Sequence, residues 1–255
     1  MDKTILDCTK NNRDLAKNRF FLQGDPEAVL MLEVSAHTPE ETENLADALI
    51  ADLKKNNFGY HHPKVYGKDI LKVHHLRKAG LGALGNMIGD KKAVACIEDT
   101  AVALEDLPNY IKEFTQIMDK YQQNAVYYAH AGAGELHLRP ILNLKKKEDV
   151  VLFRKITTET AALVKKYKGS FSGEHGDGIV RAEFIPLMIG EQNYQLLRRI
   201  KKAFDPNNVF NKGKITDAFA MDESLRYETD RKEPEVETIQ DFSDSEGILK
   251  LAEKC

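Results

Sequence analysis

Two short segments hold the residues best suited to chemistry, His130-Ala-Gly-Ala-Gly-Glu-Leu-His137 and Gly173-Glu-His-Gly-Asp-Gly178. If the first is a β-hairpin closed by a two-residue turn at Ala133-Gly134, then Gly132 opposes Glu135, Ala131 opposes Leu136 and His130 opposes His137. Directly opposed side chains share a face, with Cβ atoms roughly 4.5–5.5 Å apart. Two imidazoles so placed can bind one metal ion, and a carboxylate from elsewhere completes a three-ligand site with an open position, the form of a catalytic metal centre. In the second segment glycines frame three titratable groups, and Gly173 and Gly176 permit close backbone approach. Glu174 is the predicted third ligand. His175, beside it, is the predicted general base, because imidazole titrates near neutral pH. For the hairpin pair alone, histidines making ordinary hydrogen bonds is an equal reading; the polar, glycine-rich second segment tips the balance towards a metal or catalytic site.

Candidate anion binders are Arg77, Lys91, Lys92, Arg139 and Arg181. Arg139 is the most suggestive, since strand alternation places it on the same face as His137, and a guanidinium there could grip a carboxylate with two parallel hydrogen bonds. Taken singly, each cation reads more simply as a solvated surface charge, as does the run Lys145-Lys-Lys147. Gly80-Leu-Gly-Ala-Leu-Gly85 has the G-x-G-x-x-G spacing of a dinucleotide loop, but a polar, helix-spaced stretch precedes it where a hydrophobic strand should. It reads instead as a small-residue patch where a helix packs or ends. Phe204-Asp-Pro-Asn-Asn-Val-Phe-Asn-Lys-Gly-Lys214 reads as a helix stop followed by turn residues.

The elements that must carry these residues follow from hydrophobic spacing. A polar lead-in over 1–27 ends in Gly24-Asp-Pro26. Ala28–Ser35 is predicted as a buried strand, Thr38-Pro39 opens a helix through Leu45, Leu49 and Leu53, and Tyr60–Val65 is predicted as a short strand. A helix is predicted from Ile70 to about Met87, a strand over Lys92–Ile97, and a helix over Pro108–Gln123 with Tyr110, Ile111, Phe114, Ile117 and Tyr121 on one side. The hairpin strands are Ala125–His130 and Glu135–Leu142; helices follow at about Glu148–Tyr167, Ile179–Ile189 and Gln192–Phe204. Strands and helices alternate without clean βαβ repetition, which predicts an α+β fold, a mainly antiparallel sheet covered by helices.

The 255 residues are 42% hydrophobic and 30% charged, a soluble globular composition, and the net charge of −3 argues against a nucleic-acid partner. Three scattered cysteines, Cys8, Cys96 and Cys255, make no disulfide framework and suit a reducing compartment, with Cys96 expected as a buried, inert thiol. No stretch reaches the ~20 apolar residues of a membrane span, and the amino terminus is no signal peptide, so a cytoplasmic location is expected. From Met221 to Glu246 acidic residues outnumber basic ones and Pro234 interrupts, the composition of a linker or surface-hugging tail; a new helical pattern then runs towards Cys255.

In order and spacing, Leu76-Arg77, Glu98-Asp-Thr-Ala-Val102, His130–Pro140, Ser172–Gly178 and Phe204–Lys214 resemble the carboxy-terminal half of the FAD-linked oxidases of the vanillyl-alcohol-oxidase type. That group includes D-lactate dehydrogenases, the glycolate oxidase flavin subunit and D-2-hydroxyglutarate dehydrogenase. The resemblance implies a substrate or cap domain with ferredoxin-like elements over 28–220. The lead-in at 1–27 would follow an FAD-binding domain not seen in this sequence. The segment 221–255 would be an acidic linker opening an iron–sulfur domain, with Cys255 as its first cluster cysteine. It implies His130, His137 and Glu174 as ligands of a divalent metal (zinc first, iron or manganese as alternatives) and His175 as the base that takes the substrate hydroxyl proton. Arg77, Lys92 and Arg139 would bind substrate carboxylates, and Asn211 and Lys214 would lie towards the flavin. Arg139 stands where some members of the family carry Asn, which leaves open which distal group the substrate presents there. The implied activity is oxidation of a D-2-hydroxyacid (D-lactate, glycolate or D-2-hydroxyglutarate type) with hydride transfer to FAD, peripheral to a membrane through its electron acceptor. The chain alone is expected neither to hold FAD tightly nor to turn over substrate. The competing reading is a stand-alone zinc metallohydrolase built on the same residues.

Overall fold

A computed structural model describes residues 1–10 and 12–253, in two compact units that divide after Ala83. Cys255, and with it the implied cluster cysteine, lies outside the described residues.

The first unit contains α1 (Lys3–Cys8), α2 (Arg13–Ala16), α3 (Pro39–Lys55) and α4 (Lys68–Ala83). The Asp2 carboxylate caps α1 by accepting from the Ile5 N–H. Ile5 is fully buried, and α1 and α4 pack so closely that a Cβ on Gly80 would come within 2.6 Å of Ile5 Cγ2. The G-x-G-x-x-G spacing therefore begins inside a helix, where its first glycine, Gly80, serves packing. A small core of Leu15, Phe21, Val73 and Leu76 is edged by Val29, Met31 and Val65. α3 opens with a full capping box, Thr38 and Glu41 bonding each other's backbone N–H, and Pro39 in its first turn. Two expectations fail in this unit. Ala28–Ser35 is extended but makes only the isolated bridge Asp2↔Ala28, and while Val29 and Met31 pack inward, Leu30 and Leu32 stay exposed. A continuous apolar run specifies a strand only where a partner strand lies alongside, and none does so among the described residues. Tyr60–Val65 is likewise irregular, held by Lys64 between Glu43 and Asp47.

The second unit is built on an antiparallel sheet of β1 (Lys92–Ala93), β2 (Ile97–Ala101), β3 (Ala125–His130) and β4 (Glu135–Leu142). Its helices are α5 (Leu107–Lys120), α6 (Lys147–Lys166), α7 (Ile185–Ile189), α8 (Glu191–Phe204) and α9 (Ile248–Ala252). β4 is central, paired with β3 along one edge and with β2 and then β1 along the other. Period-two alternation divides β4 cleanly. Leu136, Leu138 and Leu142 join the core with Tyr110, Phe114 and Met118 of α5 and Phe153, Ile156 and Val164 of α6, whereas Glu135, His137 and Arg139 point to the other face. The α+β expectation thus holds.

The single strand expected over Lys92–Ile97 is instead two. Pro140 of β4 has no N–H to give the ladder; its carbonyl accepts from Val94, and the chain kinks through Cys96 N–H to Val94 O before β2 begins. Lys145 also departs from expectation. Its side chain, only 14% exposed, meets Asp90 at 3.0 Å, Glu253 at 2.7 Å and Glu233, and so ties the acidic tail to the body. At the end of α8, Asp205 accepts from the Val209 and Phe210 N–H groups and from Lys201, the expected helix stop. Among the described residues no helix is long and apolar enough to cross a membrane.

Candidate metal centre

The hairpin forms with the expected strands but a shifted register: His130 opposes Glu135, and His137 opposes Tyr128. A two-residue primed turn would need positive φ at Ala133, and in its type I′ form at Gly134 as well. The chain avoids that strain at alanine by closing through a short 3-10 turn over Ala131–Ala133, leaving only Gly134 left-handed at φ 73°. The shift is two residues, so side-chain parity survives and both histidines stay on one face as diagonal neighbours. Their ring centroids lie 5.4 Å apart, and the Tyr128 ring is 5.3 Å from that of His137.

His137 is 2% exposed, and burial pushes its imidazole below the ordinary value, which keeps the ring neutral and able to bind a metal. Its Nδ1 has no hydrogen-bond partner among the described residues and faces Glu98 Oε1 at 3.9 Å. Glu98 stands directly opposite His137 on β2. Arg139, expected to grip substrate, brings its Nη2 to 2.5 Å from Glu98 Oε2. That contact is a close charge pair out of line for a hydrogen bond, since Glu98 Oε2 and Arg139 Nε both lack hydrogen-bond partners.

The Ser172–Gly178 loop delivers the remaining groups. Glu174 Oε1 lies 3.8 Å from His130 Nε2 and 3.4 Å from His175 Nε2. The His175 ring stacks on His137 at 5.2 Å and 9°, with its Nδ1 3.6 Å from Glu98 Oε1. One ligand atom each from His130, His137 and Glu174 falls within 4.8 Å of the others, so the three predicted ligands do converge. Three further groupings meet the same distance: Glu98, His137 and His175; Asp99, Glu174 and His175; and Asp99, Glu135 and His137. Asp99 is fully buried. Burial alone would raise its carboxyl, but bonds from Glu135, the His175 and Glu174 N–H groups and Ser172 outweigh it and hold the carboxyl well below the usual range. Glu135 is pushed the other way, first by burial and then by its bond to Asp99, so it keeps its proton and donates it. Arg181 braces the loop by donating to the Gly176 carbonyl at 2.6 Å and to the carbonyl of Glu98.

Glu98, Asp99 and Glu135 were not singled out as site residues from sequence. The available signal was a pair of adjacent carboxylates at the end of the apolar run Ala93–Ile97. The other predicted residues lie on other elements. Lys92 opposes Leu142, at the far end of β4 and by alternation on its other face, with Nζ on the Met87 carbonyl. Asn211, left-handed at φ 48°, and Lys214 lie in the loop after α8. Arg77 belongs to α4 in the first unit. A donor set of imidazoles and carboxylates, with orphaned buried atoms on His137, Glu98 and Glu135, fits a divalent cation.

The family model described as "FAD linked oxidases, C-terminal domain" matches residues 1–215. A D-2-hydroxyglutarate dehydrogenase of Pseudomonas putida is 34% identical over 212 residues, covering 80% of this chain and 21% of that protein. One from Haemophilus influenzae is 42% identical over 146 residues, 57% of this chain and 14% of that protein. A glycolate oxidase subunit of Bacillus subtilis is 27% identical over 155 residues, 61% of this chain and 32% of that protein. The chain thus spans about a third or less of the length of these relatives.

Proposed function

The chain belongs to the FAD-linked oxidases, whose C-terminal domain it carries, and from that premise we propose that it forms the substrate side of an FAD-dependent dehydrogenase of D-2-hydroxyacids. His130, His137 and Glu174 would hold a divalent metal, zinc before iron or manganese. A cation bound there would supply Lewis acidity to the substrate hydroxyl and lower its pKa. His175 takes the hydroxyl proton. Its Nδ1 faces Glu98, so the tautomer protonated at Nδ1 leaves Nε2, beside Glu174, as the base. Burial of His137 and Glu98 limits water at this wall of the site. Arg139 orients Glu98 and offers its remaining donors to a substrate carboxylate, whereas Lys92, on the other face of the sheet at the far end of β4, does not share that role.

The Gly80–Gly85 spacing begins within α4 and so forms no flavin-phosphate loop. The flavin would be held by sequence other than these residues, with Asn211 and Lys214 turned towards it. An iron–sulfur cluster beginning at Cys255, and a cytoplasmic enzyme that meets a membrane only through its electron acceptor, belong to the same proposal.

The observation that carries this reading is Glu174 arriving within 3.8 Å of His130 Nε2 from 44 positions further along the chain. The test pairs two measurements. Metal content is determined for the chain and for its His130→Ala and Glu174→Gln variants. Dye reduction by D-2-hydroxyglutarate, D-lactate and glycolate is followed in a preparation that also supplies the flavin domain. Metal loss in both variants and chelator-sensitive oxidation of one of the acids are expected. Oxidation indifferent to both variants, or chelator-sensitive ester hydrolysis by the chain alone, would overturn the reading.

A further inference from the structure

We propose that Asp99 is the positioning residue of this centre: one buried carboxylate on β2 fixes the backbone that presents both the third ligand, Glu174, and the base, His175. The inference rests on the metal-centre reading above and deepens it. The register shifts between Glu98 and Thr100, a bulge in which Asp99 takes a left-handed φ of 79°. In a regular strand Glu98 and Asp99 would point to opposite faces. The bulge breaks that alternation and re-aims Asp99, so that its carboxylate groups with Glu135 and His137.

Once turned, the carboxylate is the anchor on which the loop is hung. It accepts from the Ser172 hydroxyl at 2.9 Å, from the Glu174 N–H at 3.0 Å with both oxygens, and from the His175 N–H at 2.8 Å. The Asp99 carbonyl also accepts from the Gly173 N–H at 2.7 Å. Three consecutive N–H groups thus close around one residue lying more than seventy positions earlier. Gly173 is what permits the approach, since a Cβ there would sit 3.3 Å from Asp99 Oδ1 and 3.4 Å from its carbonyl. Because loop donors engage both carboxylate oxygens, Asp99 acts by holding the ligands and not as a ligand itself. Asparagine at this position keeps the shape, but its NH2 group would face the donors it must accept from.

The experiment uses the whole 255-residue chain and Zn2+ alone as probe, with Co2+ as a spectroscopic reporter. Affinity, the Co2+ d–d spectrum and the melting temperature are measured for wild type, Asp99→Asn, Ser172→Ala and His137→Ala. His137→Ala should abolish binding. Asp99→Asn should weaken Zn2+ about 10–100-fold, as loss of an outer support does, and change the Co2+ spectrum; Ser172→Ala, which keeps the charge, should do less. If Asp99→Asn does not fold, Gly173→Ala tests the same contact from the loop side and should weaken Zn2+ with Asp99 in place. Wild-type affinity and spectrum in Asp99→Asn, or in Gly173→Ala should that variant be needed, while His137→Ala fails to bind, overturn this inference alone. No Zn2+ binding by the wild type overturns the metal centre and this inference together.

Discussion

The turn between β3 and β4 allows a sharp test of how the histidines are brought together. Gly134 adopts φ 73°, and a Cβ placed on it would lie 2.1 Å from the carbonyl oxygen of Val102. Alanine in a left-handed conformation costs about 1–2 kcal/mol. Relieving the overlap requires the turn and β2 to separate by more than an ångström, which breaks the Val102 N–H to Gly134 O hydrogen bond of 3.0 Å, worth about 1 kcal/mol. Gly134→Ala should therefore destabilise the chain by about 2–3 kcal/mol, a loss a domain of ordinary stability survives. Gly132, two residues earlier, has no atom within 4 Å of its would-be Cβ. Gly132→Ala is the matched control, expected within about 1 kcal/mol of wild type or slightly stabilising. Urea unfolding of the three proteins measures the difference. Since β2 carries Glu98 and Asp99, Zn2+ affinity should fall in Gly134→Ala and hold in Gly132→Ala. Equal stability of the two variants would refute both the register and the contact of turn with β2.

Further expectations concern the tail, the thiols, pH and the metal. Lys145→Met removes the cation shared by Asp90, Glu233 and Glu253; partial exposure of those acids limits the loss to about 1–3 kcal/mol, and limited proteolysis should cut 221–253 faster than in wild type. Burial pushes the Cys96 thiol up to about 11, so peptide mapping after alkylation should find Cys8 labelled in the native chain and Cys96 only after denaturation. The Asp205 carboxyl is held down to about 2 by Lys201 and the Val209 and Phe210 N–H groups. A depressed carboxyl stabilises the fold above its unfolded value of 3.8 and ceases to do so as pH falls through 2. Asp205→Asn should therefore lower the melting temperature at pH 7, by a gap that starts to close below pH 4. Zn2+ at a hundred times its dissociation constant should stabilise the wild type by about 2.7 kcal/mol, an increment lost in His130→Ala.

Much of the second unit was legible because its signals were local. Alternation in Glu135–Leu142 and the apolar stripe of Tyr110, Phe114 and Ile117 each carry their own period, and the structure keeps both. Long-range pairing was not legible. Nothing within Ala28–Ser35 tells whether a partner strand will lie beside it, and nothing within Lys145-Lys-Lys147 tells that three acids from distant parts of the chain will surround the first lysine. The candidate site shows the same division. Its two histidines lie on strands whose parity survives a register error of two, so their shared face could be predicted although their pairing could not. Glu98 and Asp99 escaped because a bulge, invisible to period-two reasoning, turns neighbouring residues towards the same centre.

That bulge also bears on charge, and charge bears on which ligand set the centre favours. Glu98, Asp99 and Glu174 bring three negative carboxylates together, while Glu135, kept protonated by burial and by Asp99, adds none. Two guanidiniums oppose them: Arg139 on the Glu98 carboxylate and Arg181 on the backbone carbonyls of Glu98 and Gly176. Glu98 is thereby matched to Arg139 and Asp99 to a ring of N–H donors, which leaves Glu174, the carboxylate at the more exposed end, without a fixed positive partner. Of the four groupings that could hold a cation, the one with His130 and His137 uses that carboxylate and takes nothing from Glu98 or Asp99. On the proposed reading, a dication there brings the local charge from about −1 to about +1, and a 2-hydroxyacid carboxylate brings it to zero. Such a site selects an anionic substrate only when the metal is present, so chelation should raise KM for the acid as well as lower kcat.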